Sequence, residues 1–144
     1  MPTSIQYNHR GGILFIYYNP NRLGKRVGDC AVRAVSKALN VDWDTAFTLM
    51  TEKAFDLADM PSSNVVWGEV LRDHGFTRHT VSNTCPDCYT ASDFLVDHPN
   101  GVYVIGFGTH VATAIVTDKS ADLFDAWNSL NEIPLYYWYR GGHQ

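Results

Sequence analysis

The chain changes character near its middle, from apolar residues at helical spacing to short continuous apolar runs. Helical spacing predicts helices at residues 29–40, 42–57, 65–74 and 90–97. The predicted caps at their starts are Asp29, Asp42, Asn64 and Thr90 (with Asp93), and Asn40 is predicted to end the first helix. Runs of β-branched and aromatic residues predict strands at residues 13–18, 76–81, 102–107, 110–116, 123–127 and 133–139. Residues 1–12 are predicted to be an irregular lead-in and residues 140–144 a tail. This order predicts a single α+β domain over residues 1–144, in which a helical half packs on an antiparallel sheet.

Size and composition favour a folded, water-soluble protein. A chain of 144 residues, of which 45% are hydrophobic, is large enough to bury a core. The net charge of −4 argues against nucleic-acid binding, and no apolar run approaches the length of about 18 residues that a membrane span needs. The three cysteines are an odd number, which fits a reducing compartment better than a disulfide framework. We therefore expect a cytoplasmic protein with no nucleic-acid and no membrane partner.

Cys30 is the first candidate for chemistry, because it lies at the start of a predicted helix. Gly28 suits a sharp turn and Asp29 suits the N-cap position before the helix. In the first turn of a helix, unpaired backbone N–H groups and the helix dipole favour a thiolate over a thiol. A thiolate is the nucleophile of cysteine acyl-transfer enzymes. The alternative is that Cys30 is a small buried apolar residue that only fills space.

His110 and Asp125 are the second and third candidates, and both fall in the predicted sheet. His110 begins a strand within a glycine-rich segment, and Asp125 is an acid inside an apolar strand. A carboxylate in such surroundings needs a partner, because a buried unpaired charge is costly. A turn at residues 118–120 joins the two strands and places their ends side by side. We therefore predict that Asp125 orients His110, although a purely structural histidine at a strand end is an alternative.

The order of these three residues resembles that of the papain-like cysteine peptidase superfamily. The sequences GKRVGDCAVRA around Cys30 and FDAWNS around Asp125 also resemble small bacteriophage and mobile-element proteins described as papain-like or bacteriocin-leader-peptidase-like. The resemblance covers residues 18–139 and implies a papain-like fold. It implies Cys30 as nucleophile, His110 as general base and then acid, and Asp125 as the orienting residue. The implied activity is hydrolysis of a peptide, isopeptide or other amide bond through an acyl-enzyme, with a peptide or protein substrate, no cofactor, and a host-cell cytoplasmic location if the chain is phage-encoded.

One position departs from the pattern of that superfamily. Its members carry a glutamine about six residues before the cysteine to hold the oxyanion, and this chain has Gly24 at that spacing. Asn19 and Asn21 are the upstream amides that can replace it, with the backbone N–H of Cys30 as the second donor. We prefer Asn21, because Asn19 precedes a proline and is suited to the turn itself.

A second cysteine pair, Cys85 and Cys88, has the C-x-x-C spacing that forms half of a zinc site. His79 and His98 are the nearest histidines, at irregular spacing, so the pair can equally be incidental loop thiols or a redox or disulfide pair. We therefore predict no metal at the main site and keep two alternative functions. One is a catalytically idle papain-like module that binds a host or phage protein. The other is a zinc or redox accessory protein that uses Cys85 and Cys88.

Overall fold

The computed structural model describes residues 6–8, 11–82 and 86–141, in which four helices and seven strands form an α+β protein. The elements in chain order are β1 (Gln6–Asn8), β2 (Gly11–Tyr17), α1 (Cys30–Leu39), α2 (Trp43–Leu57), α3 (Asn64–Asp73), β3 (Thr77–Thr80), α4 (Ala91–Asp97), β4 (Gly101–Gly106), β5 (Val111–Val116), β6 (Ser120–Asp125) and β7 (Tyr136–Gly141). The predicted α+β class is therefore confirmed.

The strands of the described residues form one sheet in the order β1-β2-β6-β5-β4-β7-β3. The sheet is mixed, because β2 pairs with β6 in parallel whereas the other neighbouring pairs are antiparallel. The prediction of an antiparallel sheet is thus wrong at this pair. A parallel pair needs a long crossover, and here residues 18–119 lie between the two strands.

The ends of the chain contribute more strand than the sequence predicts. β1 and the beginning of β2 fall within residues 1–12, which were predicted to be irregular, while residues 1–5 and 9–10 lie outside the described residues. Two glycines open β2, and glycine lowers the strand propensity on which the prediction relied. At the other end, β7 extends to Gly141 and includes the first part of the predicted tail, and residues 142–144 lie outside the described part.

Most helix ends follow their capping residues as predicted. α1 is followed by Asn40 in the left-handed conformation, with φ of 57°. The side chain of Asp42 accepts a hydrogen bond at the start of α2. Thr90 and Asp93 form a reciprocal capping box at the start of α4. These signals are local, so the sequence alone is sufficient to locate them.

Two boundaries differ from prediction in ways that affect the site. Ser63, not Asn64, caps α3, and the Asn64 side chain instead accepts a hydrogen bond from the indole of Trp67 at 3.0 Å. β6 ends at Asp125, whereas a strand over residues 123–127 was predicted. Trp127 consequently lies beyond the strand end, where its side chain is free to turn toward the site.

Two apolar clusters lie on opposite faces of the sheet, because alternate residues of a strand point to opposite faces. Helices α1, α2 and α3 cover one face, where Val104 of β4 joins the cluster. α4 covers the other face, where its Phe94 and Leu95 pack against Tyr103 and Ile105 of β4. α1 packs directly on β5, which brings the beginning of the helix to the end of the sheet where β5 starts and β6 finishes.

Candidate active site

Cys30 is the first residue of α1 and is partly exposed to solvent. Asp29 precedes it at the N-cap position, but the predicted side-chain cap does not form. The carboxylate of Asp29 instead accepts hydrogen bonds from Nη1 of Arg33 at 3.0 Å and from Nε1 of Trp43 at 2.9 Å. The residue before the candidate nucleophile is therefore fixed by α1 and α2 together.

The structure brings His110 and Asp125 to the same end of the sheet as Cys30. His110 immediately precedes β5, and Asp125 is the last residue of β6, the antiparallel neighbour of β5. Nε2 of His110 lies 2.6 Å from Oδ2 of Asp125. His110 and Cys30 line the same two cavities, and His110 is close enough to lower the pKa of the Cys30 thiol. Because Nε2 is occupied by Asp125, Nδ1 is the ring nitrogen left for the sulphur.

The electrostatics of this cluster favour a thiolate paired with an imidazolium. Burial alone raises the pKa of the Cys30 thiol, but hydrogen bonds from His110 and the backbone N–H of Val111, with the charges of His110 and Arg33, outweigh burial and lower that pKa overall. For His110, burial lowers the pKa, but hydrogen bonds to Asp125 and Cys30 and the charges of those groups raise it to about 9. Both shifts stabilise the charged forms near neutral pH.

Asp125 is fully buried, with 0% of its surface exposed, and is surrounded by donors. Its Oδ1 accepts from Nη2 of Arg33 at 3.2 Å and from the backbone N–H of Ala126 at 2.7 Å. Its Oδ2 accepts from Oγ of Ser129 at 2.6 Å as well as from His110. Burying a carboxylate without partners is costly, and this set of donors supplies the partners that Asp125 needs.

Sequence reasoning missed Arg33 and Ser129. A signal for Arg33 was present, since it is a charged residue flanked by small apolar residues in the first turn of α1 and follows Asp29 by one helical turn. Such a charge on a buried helix face needs a buried counter-charge. Ser129 carried no signal, because it reaches Asp125 only through the turn that follows β6.

Aromatic rings enclose the imidazole of His110. The ring of Trp127, 42% exposed, lies with its centroid 4.7 Å from that of His110 at an interplanar angle of 35°. Phe107 contributes a second ring, at 6.1 Å and 16°. These contacts limit rotation of the imidazole and shield its hydrogen bond to Asp125 from water.

The two candidate oxyanion residues occupy different places. Asn19 lines a small cavity together with Cys30 and His110, and its Nδ2 donates one hydrogen bond to the carbonyl of Lys25 at 3.2 Å. Asn21 lines neither of the two cavities that contain Cys30, and its Oδ1 accepts from backbone N–H groups within its own turn. The preference for Asn21 is therefore not supported, and Asn19 is the amide on the cavity wall.

Two cavities flank Cys30. The larger, about 660 Å³, lies toward α2 and α3, and the indole N–H groups of its Trp43 and Trp67 are already bonded to Asp29 and Asn64. Its apolar lining residues are Val27, Ala31, Val32, Trp43, Phe47, Met50, Pro61, Trp67 and Val111. The smaller, about 300 Å³, includes Asn19, Arg26 and Trp127. A chain laid across Cys30 would thus meet an apolar pocket on one side and a polar one on the other.

Of the two C-x-x-C cysteines, Cys85 lies outside the described residues and Cys88 is disulfide-bonded. Cys88 is therefore not an incidental loop thiol, and the expectation that the cysteines are reduced is wrong for it. The ring of His79 is hydrogen-bonded to the hydroxyl of Thr77, and the ring of His98 is hydrogen-bonded to the backbone carbonyl of Phe94. Within residues 6–8, 11–82 and 86–141, no group of three or more histidine, cysteine, aspartate or glutamate side chains is arranged to hold a metal ion.

Comparison of the chain with models of protein families, with curated protein sequences and with solved structures finds no match. In the part of the chain that the structure describes, no helix combines the length and apolar character that crossing a membrane requires. A function for this site must therefore be argued from its own geometry.

Proposed function

We propose that this chain is a papain-like thiol hydrolase that cleaves a peptide, isopeptide or other amide bond. The observation that carries the proposal is that Cys30, His110 and Asp125 come together at one end of the sheet, with Nε2 of His110 2.6 Å from Oδ2 of Asp125 and with Cys30 and His110 lining the same cavities. The pKa of the thiol is lowered there, and the pKa of the imidazole is raised to about 9. A nucleophile, a base within hydrogen-bond reach and a third group that orients the base are the parts that covalent catalysis needs.

In the first half of the proposed reaction, the Cys30 sulphur attacks the carbonyl carbon of the scissile amide. The negative charge moves to the carbonyl oxygen, where the backbone N–H of Cys30 and the amide of Asn19 are the available donors. The tetrahedral intermediate then collapses, and the imidazolium of His110 gives its proton to the leaving amine. The products of this half are a free amine, a neutral His110 and a thioester on Cys30.

In the second half, water attacks the thioester. His110 takes a proton from the water as its oxygen bonds the acyl carbon, and Cys30 leaves as a thiolate. The acyl group departs as a carboxylic acid, and the thiolate–imidazolium pair is restored. Asp125 holds Nε2 throughout, so that Nδ1 remains directed at the sulphur.

The arrangement of the elements supports the papain-like part of the proposal. The cysteine begins a helix that packs on the sheet, and the histidine and aspartate come from the ends of two neighbouring strands. The chain order of cysteine, histidine and aspartate is the order that the sequence resemblance implies. Asn19 in place of an upstream glutamine is a departure from that resemblance.

Two measurements on the purified protein test the proposal. The first is the pH dependence of Cys30 alkylation by iodoacetamide, with mass spectrometry separating Cys30 from Cys85 and Cys88. We expect an apparent pKa well below the ordinary thiol value of about 8.5, and an increase toward that value in His110→Ala. The second is incubation with a peptide library, for which we expect new amino termini with the wild type and none with Cys30→Ala.

Two results would overturn the proposal. If Cys30 titrates as an ordinary thiol whether or not His110 is present, the site holds no reactive pair. If the wild type and Cys30→Ala give the same products, the cleavage comes from a contaminant. Thermal unfolding of both variants checks that they are folded.

The alternative of a catalytically idle binding module has one observation in its favour. Phe55 at the end of α2 is 86% exposed, and Met60 in the following loop is 68% exposed. Large apolar side chains exposed to this degree are candidates for an interaction site. A binding function would survive Cys30→Ala and be weakened by Phe55→Ser. A hydrolase would lose its activity in Cys30→Ala and keep it in Phe55→Ser.

A further inference from the structure

Arg33 occupies an unusual position for a charged side chain. It lies on α1 one turn beyond Cys30, and only 8% of its side-chain surface is exposed. One arm of its guanidinium donates to Oδ1 of Asp29 at 3.0 Å, and the other donates to Oδ1 of Asp125 at 3.2 Å. The same arginine thus joins the residue before the nucleophile to the residue that orients the histidine.

We propose that Arg33 is a positioning residue for the thiolate–imidazolium pair, acting through Asp125 and through its charge. This inference rests on the proposed function, because it assigns a role in the same site. Arg33 touches neither a substrate nor the reacting atoms, so its effect must pass through Asp125 and through the electric field at Cys30.

The geometry gives the first reason. The two oxygens of Asp125 have different partners. Oδ1 accepts hydrogen bonds from Arg33 and from the backbone N–H of Ala126, and Oδ2 is hydrogen-bonded to His110 and Ser129. Contacts on Oδ1 fix the plane of the carboxylate and therefore the direction in which Oδ2 points. A planar guanidinium suits this task, because its donors stand in a rigid fork.

Charge balance gives the second reason. In the reactive state Asp29, Asp125 and the Cys30 thiolate carry three negative charges, and Arg33 and the His110 imidazolium carry two positive charges. Without the guanidinium, three buried or half-buried anions would face one cation. Like charges at short range disfavour ionisation, so the thiolate would become harder to form.

Among the described residues, the other groups that face this network add no buried cation to Arg33 and His110. Tyr136 of β7 lies near Cys30, and burial and the charge of Cys30 raise its pKa, so its hydroxyl is neutral where the thiol titrates. Trp43 of α2 contributes a neutral indole N–H to Asp29, and Ser129 contributes a hydroxyl to Asp125. Arg26 borders the smaller cavity and is exposed to solvent, where its charge is screened. Lys37, one turn further along α1, lies over the ring of Phe124 at 4.1 Å.

The test measures Cys30 alkylation by iodoacetamide from pH 4 to 10 in four forms of the full chain. Arg33→Gln removes the charge but keeps a polar side chain, and Arg33→Lys keeps the charge. Lys37→Met is the matched control, since it removes one positive charge from the same helix one turn away. We expect the midpoint of the acidic limb to rise by about one pH unit in Arg33→Gln, which is about a tenfold loss of rate below the midpoint. We expect most of this shift to be restored in Arg33→Lys, and the midpoint of Lys37→Met to match the wild type.

A purely structural role would give a different result. In that case Arg33→Gln would lower the thermal midpoint of unfolding and leave the alkylation profile unchanged, which would overturn the inference. If Arg33→Gln does not fold, Asp29→Asn replaces it as the probe. Removing an anion beside the thiolate should lower the midpoint of the acidic limb, and an unmoved midpoint would show that the charges of this network do not reach Cys30.

Failure of the inference can be told apart from failure of the proposed function. If wild-type Cys30 behaves as an ordinary thiol, the hydrolase proposal itself fails. If the wild type has a low midpoint that Arg33→Gln does not move, only the role of Arg33 fails. Neither result requires a known substrate.

Discussion

Replacing Asp125 by asparagine tests the hydrogen bond between Asp125 and His110, because its effect can be measured as the pKa of the His110 ring. Asparagine keeps the shape of the side chain but removes its charge. Cys30→Ala is used as the parent for the experiment, because the thiolate also raises the pKa of His110. Arg33 keeps its contact with Asp29 in the variant, so no buried cation is left without a partner.

The magnitude follows from the raised pKa. The pKa of His110 is about 9 in the intact site, against 6.5 for an ordinary histidine. The difference corresponds to a preference of about 3 kcal/mol for the imidazolium, and this is an upper limit for the share of Asp125 because Cys30 contributes to it. We therefore expect a pKa clearly above 6.5 in the Cys30→Ala parent, and a drop to or below 6.5 when Asp125→Asn is added, since burial then dominates.

The assay is a ¹H–¹³C NMR titration of the histidine rings. The chain has six histidines, so the His110 signal is assigned by its loss in His110→Gln. The raised pKa of His110 also makes the free energy of unfolding depend on pH. Because the folded pKa of His110 lies above the unfolded value of about 6.5, its contribution is complete below that pH and is lost as the pH rises through the folded pKa. Urea unfolding should thus show a larger loss of stability between pH 6 and pH 9 for the parent than for Asp125→Asn. A His110 that titrates near 6.5 in the parent, or that Asp125→Asn leaves unchanged, would refute the reasoning.

Three further predictions concern other parts of the molecule. Asn19→Ala should lower kcat on any cleaved peptide by about 10²-fold through loss of an oxyanion donor, whereas Asn21→Ala should retain kcat, and equal losses in the two variants would count against the assignment. Phe94→Ala should lower the free energy of unfolding by about 3–5 kcal/mol in urea titrations, because Phe94 is fully buried in the cluster under α4, and a loss below about 1 kcal/mol would contradict that packing. Gly106→Ala should lower the thermal midpoint, since its methyl group would overlap the ring of Tyr136, and Gly106→Ala combined with Tyr136→Ala should recover part of the loss.

The parts of this structure that sequence predicted well are those fixed by neighbouring residues. Asn40 ends α1, Asp42 begins α2 and the box of Thr90 and Asp93 begins α4, each through contacts within a few residues. The side-by-side placement of the ends of β5 and β6 also followed from a single short turn. Local hydrogen bonding and turn chemistry need no knowledge of the rest of the fold.

The parts that sequence missed depend on residues far apart in the chain. The parallel pairing of β2 with β6 joins segments separated by about a hundred residues, and no local pattern encodes it. Asp29 is well suited to be an N-cap, yet its carboxylate is taken by Arg33 and Trp43, partners that only the packing of α2 on α1 supplies. The choice between Asn19 and Asn21 likewise turned on the path of one loop.

The pairing of β2 with β6 has a consequence for the order in which the site forms during synthesis. Tyr17 lies opposite Asp125 in the register of these strands, and the backbone N–H of Tyr18 donates to the carbonyl of Asp125 at 2.8 Å. β2 leaves the ribosome early, but its partner strand follows only after all four described helices have been made. Contacts of such long sequence separation slow folding. A thiol at Cys30 would therefore remain unactivated on the nascent chain, and the site would become reactive only when its last strands are in place.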